Sequence, residues 1–328
     1  MATMTEEFTP HGHGHEPDFQ AVVKEKVNAS NGVVTLLLGH AGGNDLPEWQ
    51  PGSHIDMVFE DGLVRQYSLC GDPADRSTYR VGVLREQAGR GGSEFVHDRL
   101  QVGDPVRLRG PRNHFVLQPA ASYLFVAGGI GITPLLPMIA EAQRNGTDWK
   151  LLYGGRSRDS MAFLDRLEEY GNRVDVRPED EHGLLDLSAF LAHHRDGALV
   201  YSCGPEPLLK AMEAACANLP HNTLHVERFA PKEEIHTDGD TGFEVYLQAS
   251  DLTVEVGPEQ SILECVEAAG IPVLSSCQEG TCGTCETDVV EGDPNHRDSV
   301  LTEDDRASGE TMMICVSRCK GKRLVLDL

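Results

Sequence analysis

Ten residues near the end of the chain restrict its fold more than any others: Ser276-Cys277-Gln278-Glu279-Gly280-Thr281-Cys282-Gly283-Thr284-Cys285, followed at a distance by Cys315. The spacing is C-x4-C-x2-C, then 29 residues, then C. A zinc ribbon would pair two short C-x2–4-C knuckles. Here three cysteines stand on one side and a single one on the other. That pattern fits four thiolates holding a [2Fe–2S] cluster, with Cys277, Cys282, Cys285 and Cys315 as the metal ligands. Such a group is doubly negative when oxidised and gains a further charge on reduction, so the loop must turn backbone N–H groups inward. Gly280 and Gly283 allow the backbone angles this requires.

The segment around the loop, residues 242–328, resembles a plant-type ferredoxin module with a β-grasp fold. Strands are expected at Glu244–Ala249 and Leu252–Val256, a helix from Ser261, and later strands near Thr287–Val290, Met312–Val316 and Leu324–Leu326. The segment holds 17 acidic and 6 basic residues, a net charge of −11. Cys265 and Cys319 are read as structural or incidental. A cluster of this kind passes one electron at a time, so the remaining chain should supply the electrons.

Composition bounds that supply. The 328 residues allow two or three domains. With 40% apolar and 24% charged residues the chain reads as a globular protein with a real core. A net charge of −24 excludes binding to nucleic-acid phosphates. The nine cysteines form no disulfide framework, which fits a reducing, cytoplasmic setting. Residues 1–18 carry no apolar signal core, and their alternating His11, His13 and His15 read as a disordered tail. Ser122–Ala140 is long and uncharged enough to suggest a membrane span. Its glycines and prolines favour a strand, a turn and a buried helix instead.

Residues 19–120 alternate short apolar runs with Gly, Pro, Asn and Asp clusters, the pattern of an antiparallel β-barrel. The runs are Phe19–Val27, Val33–Leu38, His54–Phe59, Leu63–Leu69, Tyr79–Leu84 and Pro105–Leu108. One helix is expected at Gly92–Leu100, capped by Ser93. Arg65, Tyr67 and Ser68 offer a cation, an aromatic face and a hydroxyl on one strand. Arg90, Gly91, Gly92 and Ser93 combine a charge with a helix start suited to an anion. Together these suit a flat ring that ends in a phosphate. Residues 121–230 alternate strands and helices, an α/β doubly wound sheet whose strand ends should carry a ligand. Helices are expected at Leu135–Arg144, Ser160–Tyr170, Asp186–His193 and Glu206–Leu219. Gly128-Gly129-Ile130-Gly131-Ile132-Thr133-Pro134 follows the first strand as a pyrophosphate turn, with Thr133 capping the next helix. Cys203-Gly204-Pro205 follows the fourth. Residues 178–183 form an acidic, solvated turn, and residues 230–242 a polar linker.

In order and content these motifs resemble the ferredoxin reductase superfamily, with its R-x-Y-S, G-G-x-G-x-T-P and C-G-P signatures. The phosphate loop is similar to that of the phthalate dioxygenase reductase and vanillate demethylase reductase family over residues 19–328. The resemblance implies three domains: an FMN barrel at 19–120, an NAD domain at 121–230 and the ferredoxin domain at 242–328. It sets Tyr67 and Ser68 against the flavin ring, lines that ring with Val83, Leu84 and Arg85, and gives the phosphate to Arg65, Arg90 and the amides of Gly91, Gly92 and Ser93. Gly128, Gly129, Gly131, Thr133, Arg156, Gly204 and Pro205 would bind the dinucleotide. Cys203 would border the nicotinamide and, with Ser68, form the catalytic centre; Phe229 would lie near the flavin. The tip Gly154-Gly155-Arg156-Ser157-Arg158-Asp159 leaves NADPH open on its residues, while the resemblance points to NADH. Electrons would pass from NADH through FMN and the cluster to the terminal oxygenase of a Rieske-type system. Two rivals are a stand-alone flavin or ferric reductase and a non-catalytic redox sensor. The second would require an output domain, and no segment reads as one.

Serine at Cys277, Cys282, Cys285 or Cys315 is expected to abolish the cluster's visible absorbance, whereas Cys319→Ser retains it. Spectra of the five purified variants decide this, and loss of absorbance in Cys319→Ser with retention in Cys315→Ser would reassign the fourth ligand.

Overall fold

The computed structural model describes residues 17–59, 63–86, 91–230 and 239–328. Arg90, the three histidines of the tail and most of the acidic linker lie outside the described residues.

The first sheet comprises β1 (Asp18–Ser30), β2 (Val33–His40), β3 (His54–Val58), β4 (Val64–Ser68), β5 (Thr78–Leu84) and β6 (Pro105–Arg112). Their order is β4-β3-β6-β1-β2-β5, and neighbours run antiparallel. The end strands meet through a bridge between Leu69 and Val81, beside which the Cys70 N–H donates to the Arg80 carbonyl at 2.9 Å. The ribbon therefore closes on itself. Inward-facing Ala21, Val23, Leu36, Leu38, Ile55, Met57, Val81 and Leu108 are fully buried. Burial of each larger side chain contributes roughly 1.5–3 kcal/mol.

The helix α1 (Gly92–Asp98) packs beside β5. It ends two residues before the expected Leu100, and its N-cap is Gly91, not Ser93. The Ser93 hydroxyl instead accepts from the Glu86 N–H at 3.0 Å, so the start moves back to Gly91, whose φ of 84° suits a glycine. At the other end Lys26 Nζ donates to the carbonyls of His97 and Leu100, both at 2.8 Å. A cation there satisfies carbonyls that have no helical partner.

The second sheet is parallel, with order β11-β10-β7-β8-β9. Its strands are β7 (Ser122–Gly128), β8 (Asp148–Gly155), β9 (Val174–Pro178), β10 (Ala198–Cys203) and β11 (Leu224–Glu227). Between them run α2 (Ile132–Arg144), α3 (Leu164–Leu167), α4 (Glu179–His182), α5 (Leu187–Leu191) and α6 (Glu206–Cys216). Ser122–Ala140 thus contains a strand, a tight turn and part of α2, and no helix among the described residues is long and apolar enough to cross a membrane.

Two local expectations are corrected. Thr133 does not cap α2: Gly131 is the N-cap, and the Thr133 hydroxyl donates to the Ile130 carbonyl at 2.9 Å. The helix expected over 160–170 is broken into α3 and flanking 3-10 turns. Phe163 sits at φ 64°, which turns its ring onto Gly82 of the barrel, and Met161 fills the space above Gly155. Packing between sheets overrides helical periodicity there.

The third sheet has order β13-β12-β18-β14-β16. Its members are β12 (Phe243–Leu247), β13 (Leu252–Val256), β14 (Glu286–Glu291), β16 (Thr311–Met313) and β18 (Arg323–Leu326), with the short pair β15 (Pro294–Asn295) and β17 (Arg318–Cys319) beside it. β12 and β18 are parallel, and α7 (Ile262–Ala268) packs against β13, a β-grasp arrangement. Ser261 caps α7 in a reciprocal box with Glu264. The one-turn-plus helix α8 (Glu303–Ser308), capped likewise by Thr302 and Asp305, has no counterpart in the sequence reading. The strand expected to reach Val316 stops at Met313, where the chain turns to bring Cys315 to the cluster loop. Asp240, at the entrance to this sheet, pairs with Arg297 at 2.5 and 2.8 Å and with Arg318 at 3.4 Å.

The pyrophosphate turn and the end of β10 approach to backbone contact. A Cβ on Gly131 would overlap the Cys203 carbonyl and lie 2.6 Å from the Gly204 nitrogen, whereas one on Gly129 would meet nothing within 4 Å. Gly131→Ala is expected to lose about 1–3 kcal/mol. Gly129→Ala, strained only by its φ of 55°, should lose about 1 kcal/mol. Urea unfolding measures both, and equal losses would show that the close approach does not matter to the junction.

Candidate functional site

Three stretches of the barrel converge on the face that carries β4. Arg65 lies on β4 opposite Met57, and its stem crosses to the start of α1, where a Cβ on Gly92 would overlap it. The guanidinium donates to the Val64 carbonyl at 2.7 Å. Gly92, at the start of α1, therefore stands beside Arg65. Tyr67 is half-buried against the barrel core, and burial raises its hydroxyl pKa despite the nearby Arg65 charge. Val83 turns its side chain wholly into the core, so only its backbone can border a ring; Leu84 is half-buried. Arg85 reaches away to Asp98, at 2.5 and 2.8 Å, and works as a strut between β5 and α1.

The dinucleotide motifs meet at the ends of β7 and β10, adjacent strands in which Ala127 lies beside Cys203. A Cβ on Gly128 would lie 2.7 Å from Pro205 Cδ, and one on Gly204 would lie 3.0 Å from the Gly128 Cα. Only bare backbone fits this crossing. The same turn reaches the barrel, for a Cβ on Gly82 would lie 3.0 Å from the Thr133 methyl. At the tip of β8, Arg156 is exposed and Arg158 is taken by Glu181 at 3.2 and 3.3 Å. The α4 acids Glu179, Asp180 and Glu181 stand next to this tip, with the Asp180 N–H donating to the Arg156 carbonyl at 3.2 Å.

Between barrel and parallel sheet lies a residue that sequence reasoning passed over. Glu227 Oε2 accepts from the Ser68 hydroxyl at 3.4 Å and from the Cys203 thiol at 3.9 Å. Two expected catalytic residues from different sheets are thereby joined by one carboxylate at the end of β11. Enclosure pushes its pKa up to about 8, against the pull of its bonds from Ser68 and Cys203. Burial, then the neighbouring Glu227 charge, likewise raises the Cys203 thiol. A half-buried acid two residues before an expected aromatic was the available signal, but no periodicity marks it. Arg228, next in sequence, is held by Glu206 at 2.9 Å and Glu213 at 2.7 Å, which fixes the strand end. Phe229 follows with its ring 47% exposed.

The four cluster-loop cysteines are buried and share one neighbourhood. Cys282 and Cys315 each interact with Cys277, and Cys315 also with Cys285. The interaction with Cys277, then burial, pushes the Cys282 thiol well up. Four such sulfurs would repel as thiolates unless cations sat among them. Backbone N–H groups already point at them: Glu279 and Thr281 donate to Cys277 at 3.3 and 3.4 Å, and Thr284 to Cys282 at 3.4 Å. Gly280 and Gly283 hold φ of 68° and 74°. The buried Thr284 hydroxyl has no partner among the described residues. Thiols, inward amides and glycine angles fit an anionic iron–sulfur group.

This loop rests on the barrel. Gln66 Nε2 donates to the Ser276 hydroxyl at 3.4 Å, and the buried His54 ring faces the Cys282 backbone. His114 lies on Gly283 so closely that a Cβ there would overlap its ring. The two imidazoles stack, with centroids 6.0 Å apart and planes at 30°. Burial, then the Arg112 charge and His114, hold His54 neutral, well below its usual titration range.

Comparisons with known proteins agree with this geometry. Residues 125–214 match the oxidoreductase NAD-binding domain, and residues 245–320 match the 2Fe-2S iron-sulfur cluster binding domain. The carnitine monooxygenase reductase subunit of Escherichia coli is 40% identical over 94% of this chain and 98% of its own length. The solved structure of phthalate dioxygenase reductase aligns over 95% of this chain and 98% of its own, with 33% identity and a TM-score of 0.69. An intact type IV self-sufficient cytochrome P450 monooxygenase aligns over 95% of this chain with 46% identity and a TM-score of 0.90. The chain spans only 41% of that longer protein.

The raised pKa of Glu227 makes stability depend on pH in a definite direction. Below about 4.5 the carboxyl is protonated folded or unfolded; between 4.5 and about 8 only the folded chain keeps the proton. This group's contribution is therefore full at low pH, declines as pH rises through that window, and is gone above it. Wild type should lose Tm relative to Glu227→Gln between those limits, followed by thermal melts in matched buffers. Parallel curves would place Glu227 in an ordinary solvated setting.

Proposed function

The chain belongs to the phthalate dioxygenase reductase and vanillate demethylase reductase family, the reductase subunits of oxygenase systems, and from that premise we propose how its residues serve the electron path from NADH to a terminal oxygenase. When bound, NADH supplies a hydride, FMN converts two-electron into one-electron chemistry, and the [2Fe–2S] cluster hands on single electrons. The observation that carries the reading is the joint at Glu227, where the barrel's Ser68 and the parallel sheet's Cys203 share one carboxylate.

In this reading residues 19–120 bind the flavin, 121–230 the dinucleotide, and 242–328 the cluster. Arg65, Arg90 and the amides of Gly91, Gly92 and Ser93 hold the FMN phosphate, while Tyr67 and the backbone at Val83 and Leu84 border the ring. Arg85, tied to Asp98, lines the ring's edge from the end of β5. Gly128, Gly129, Gly131 and Thr133 seat the pyrophosphate, and Gly204 and Pro205 keep the nicotinamide end open. Cys203 borders the nicotinamide and Ser68 the flavin, so the two reactants meet where their side chains converge. Glu227 Oε2 fixes both side chains. Phe229 covers the flavin until the nicotinamide arrives. Cys277, Cys282, Cys285 and Cys315 hold the cluster. The α4 acids beside Arg156 oppose a 2′-phosphate, and Arg158 is occupied by Glu181, so NADH is the donor.

The electron acceptor is an oxygenase, and we read it as the Rieske-type component of a demethylase or dioxygenase system. A second reading is favoured by one observation, the higher TM-score to the P450-fused module, which makes a haem monooxygenase the alternative acceptor. The acidic, cluster-bearing segment would meet a basic patch on either one.

Flavin released by heat should chromatograph as FMN, and recovery of FAD alone would overturn the phosphate assignment. NADH should outperform NADPH in kcat/KM by about tenfold or more, the factor that corresponds to ~1.4 kcal/mol of charge repulsion. Electron transfer to the Rieske component should slow as salt shortens the screening length from about 10 Å at 0.1 M to about 3 Å at 1 M. Hydride transfer within the chain should stay level. Stopped-flow traces of both steps across that range test the docking, and faster reduction of a P450 than of a Rieske protein would favour the second reading.

A further inference from the structure

His54 and His114 belong to neither the flavin nor the dinucleotide signature, yet the cluster loop touches the barrel through them. His54 is the strand partner of Ser68: the two face each other across β3 and β4. One residue of the pair therefore sits beside the proposed flavin centre, and its ring faces the backbone of a proposed cluster ligand, Cys282. His54 is 7% exposed, and its buried Nε2 has no hydrogen-bond partner among the described residues. His114 stacks on it, exposed to solvent and lying against Gly283. Glycine is required at 283 for two reasons, its φ of 74° and the imidazole lying over its Cα.

The other polar contacts that tie the third sheet's module to the rest of the chain, among the described residues, are partly or fully exposed. Gln66 to Ser276 is a single bond at 3.4 Å. His221 with Glu303 at 3.3 Å, and Asn222 with Asp304 at 2.7 Å, are exposed polar pairs, and each adds little. By contrast, the His54–His114 stack is partly shielded and makes close van der Waals contact with the loop.

We propose that the stacked His54 and His114 are positioning residues that dock the Cys282–Gly283 side of the cluster loop onto the flavin strand, so that the cluster receives electrons on that side. This deepens the proposed function and rests on it. Across the docked gap one electron leaves the reduced flavin, which is oxidised, and one ferric ion becomes ferrous. NADH supplies the electrons, no bond forms at either imidazole, and neither ring gains or loses a proton. Exposed residues of the same loop are left to the acceptor: Leu274 is 56% exposed and Gln278 also faces solvent.

The test uses the full chain with its cofactors and compares wild type, His114→Ala and His114→Phe. His114 is exposed and lies outside the barrel core, so its replacement leaves that core intact. In His114→Ala, hydride transfer from NADH should be unchanged while flavin-to-cluster transfer slows by about three- to tenfold, the factor an aromatic contact of this kind commands. Amide hydrogen exchange in a peptide spanning residues 279–285, measured without NADH, should rise in the same variant. His114→Phe keeps a flat ring over Gly283 and should restore both. Unchanged exchange in His114→Ala would overturn the proposal whether or not transfer slows, since a docking residue must loosen the loop when removed. Failure of His114→Phe to restore the slow exchange would overturn it equally. A wild-type protein without the cluster's visible absorbance would instead refute the function on which the proposal rests, before any variant is compared.

Discussion

At Gly131 there is no room for even a methyl group, because the Cys203 carbonyl already occupies that space. The turn after β7 and the end of β10 are thereby locked together, and the rest of the functional architecture hangs on that contact. It places Cys203 beside the pyrophosphate turn and sets Thr133 against Gly82 of the barrel. The parallel sheet and the barrel then share a wall, along which Ser68 and Cys203 reach the same oxygen of Glu227. Close packing of this kind tolerates little adjustment, since interiors are filled to near crystalline density. Function here depends as much on where side chains are missing as on where they are present.

The electrostatic design follows the same junctions. The chain is strongly acidic, yet each site that should take a negative group is lined by donors. Arg65 crosses to the start of α1, and the cysteine loop turns the N–H groups of Glu279, Thr281 and Thr284 toward sulfur. Glu227 is the exception, an acid enclosed where charge is costly, and it responds by keeping its proton toward pH 8. The acids of α4 have the reverse task. In the proposed reading they stand where a 2′-phosphate would otherwise be met by a cation.

Three sheets joined by few strong contacts make a chain whose parts can be read almost separately. The barrel and parallel sheet meet through apolar packing around Phe163, Gly82 and Thr133. The third sheet is anchored to its own entrance by Asp240 with Arg297 and Arg318, and touches the barrel chiefly at the cluster loop. That division suits a component that must exchange electrons with the barrel on one side and with another protein on the other. Interfaces between domains of one chain commonly resemble transient ones, small and partly polar.

Local chemistry was legible without coordinates. The cysteine spacing, the glycine turns, the helix start near Ser261 and the alternation of the barrel strands are each set by neighbours in sequence, through ligand count, φ angle or periodicity. Two of the misplaced elements trace to contacts made by other residues. Glu86 drew off the Ser93 hydroxyl, and Gly82 drew Phe163 out of a helix. Glu227, His54 and His114 carried no pattern at all, because a carboxylate or imidazole on a strand end is usually solvated. Only the tertiary structure set Glu227 between two sheets and laid His114 on Gly283. Sequence alone thus determined which groups this protein can hold, since ligands and glycines are local requirements. The order in which those groups meet was decided by the fold, since it rests on burial and close approach between residues far apart in the chain.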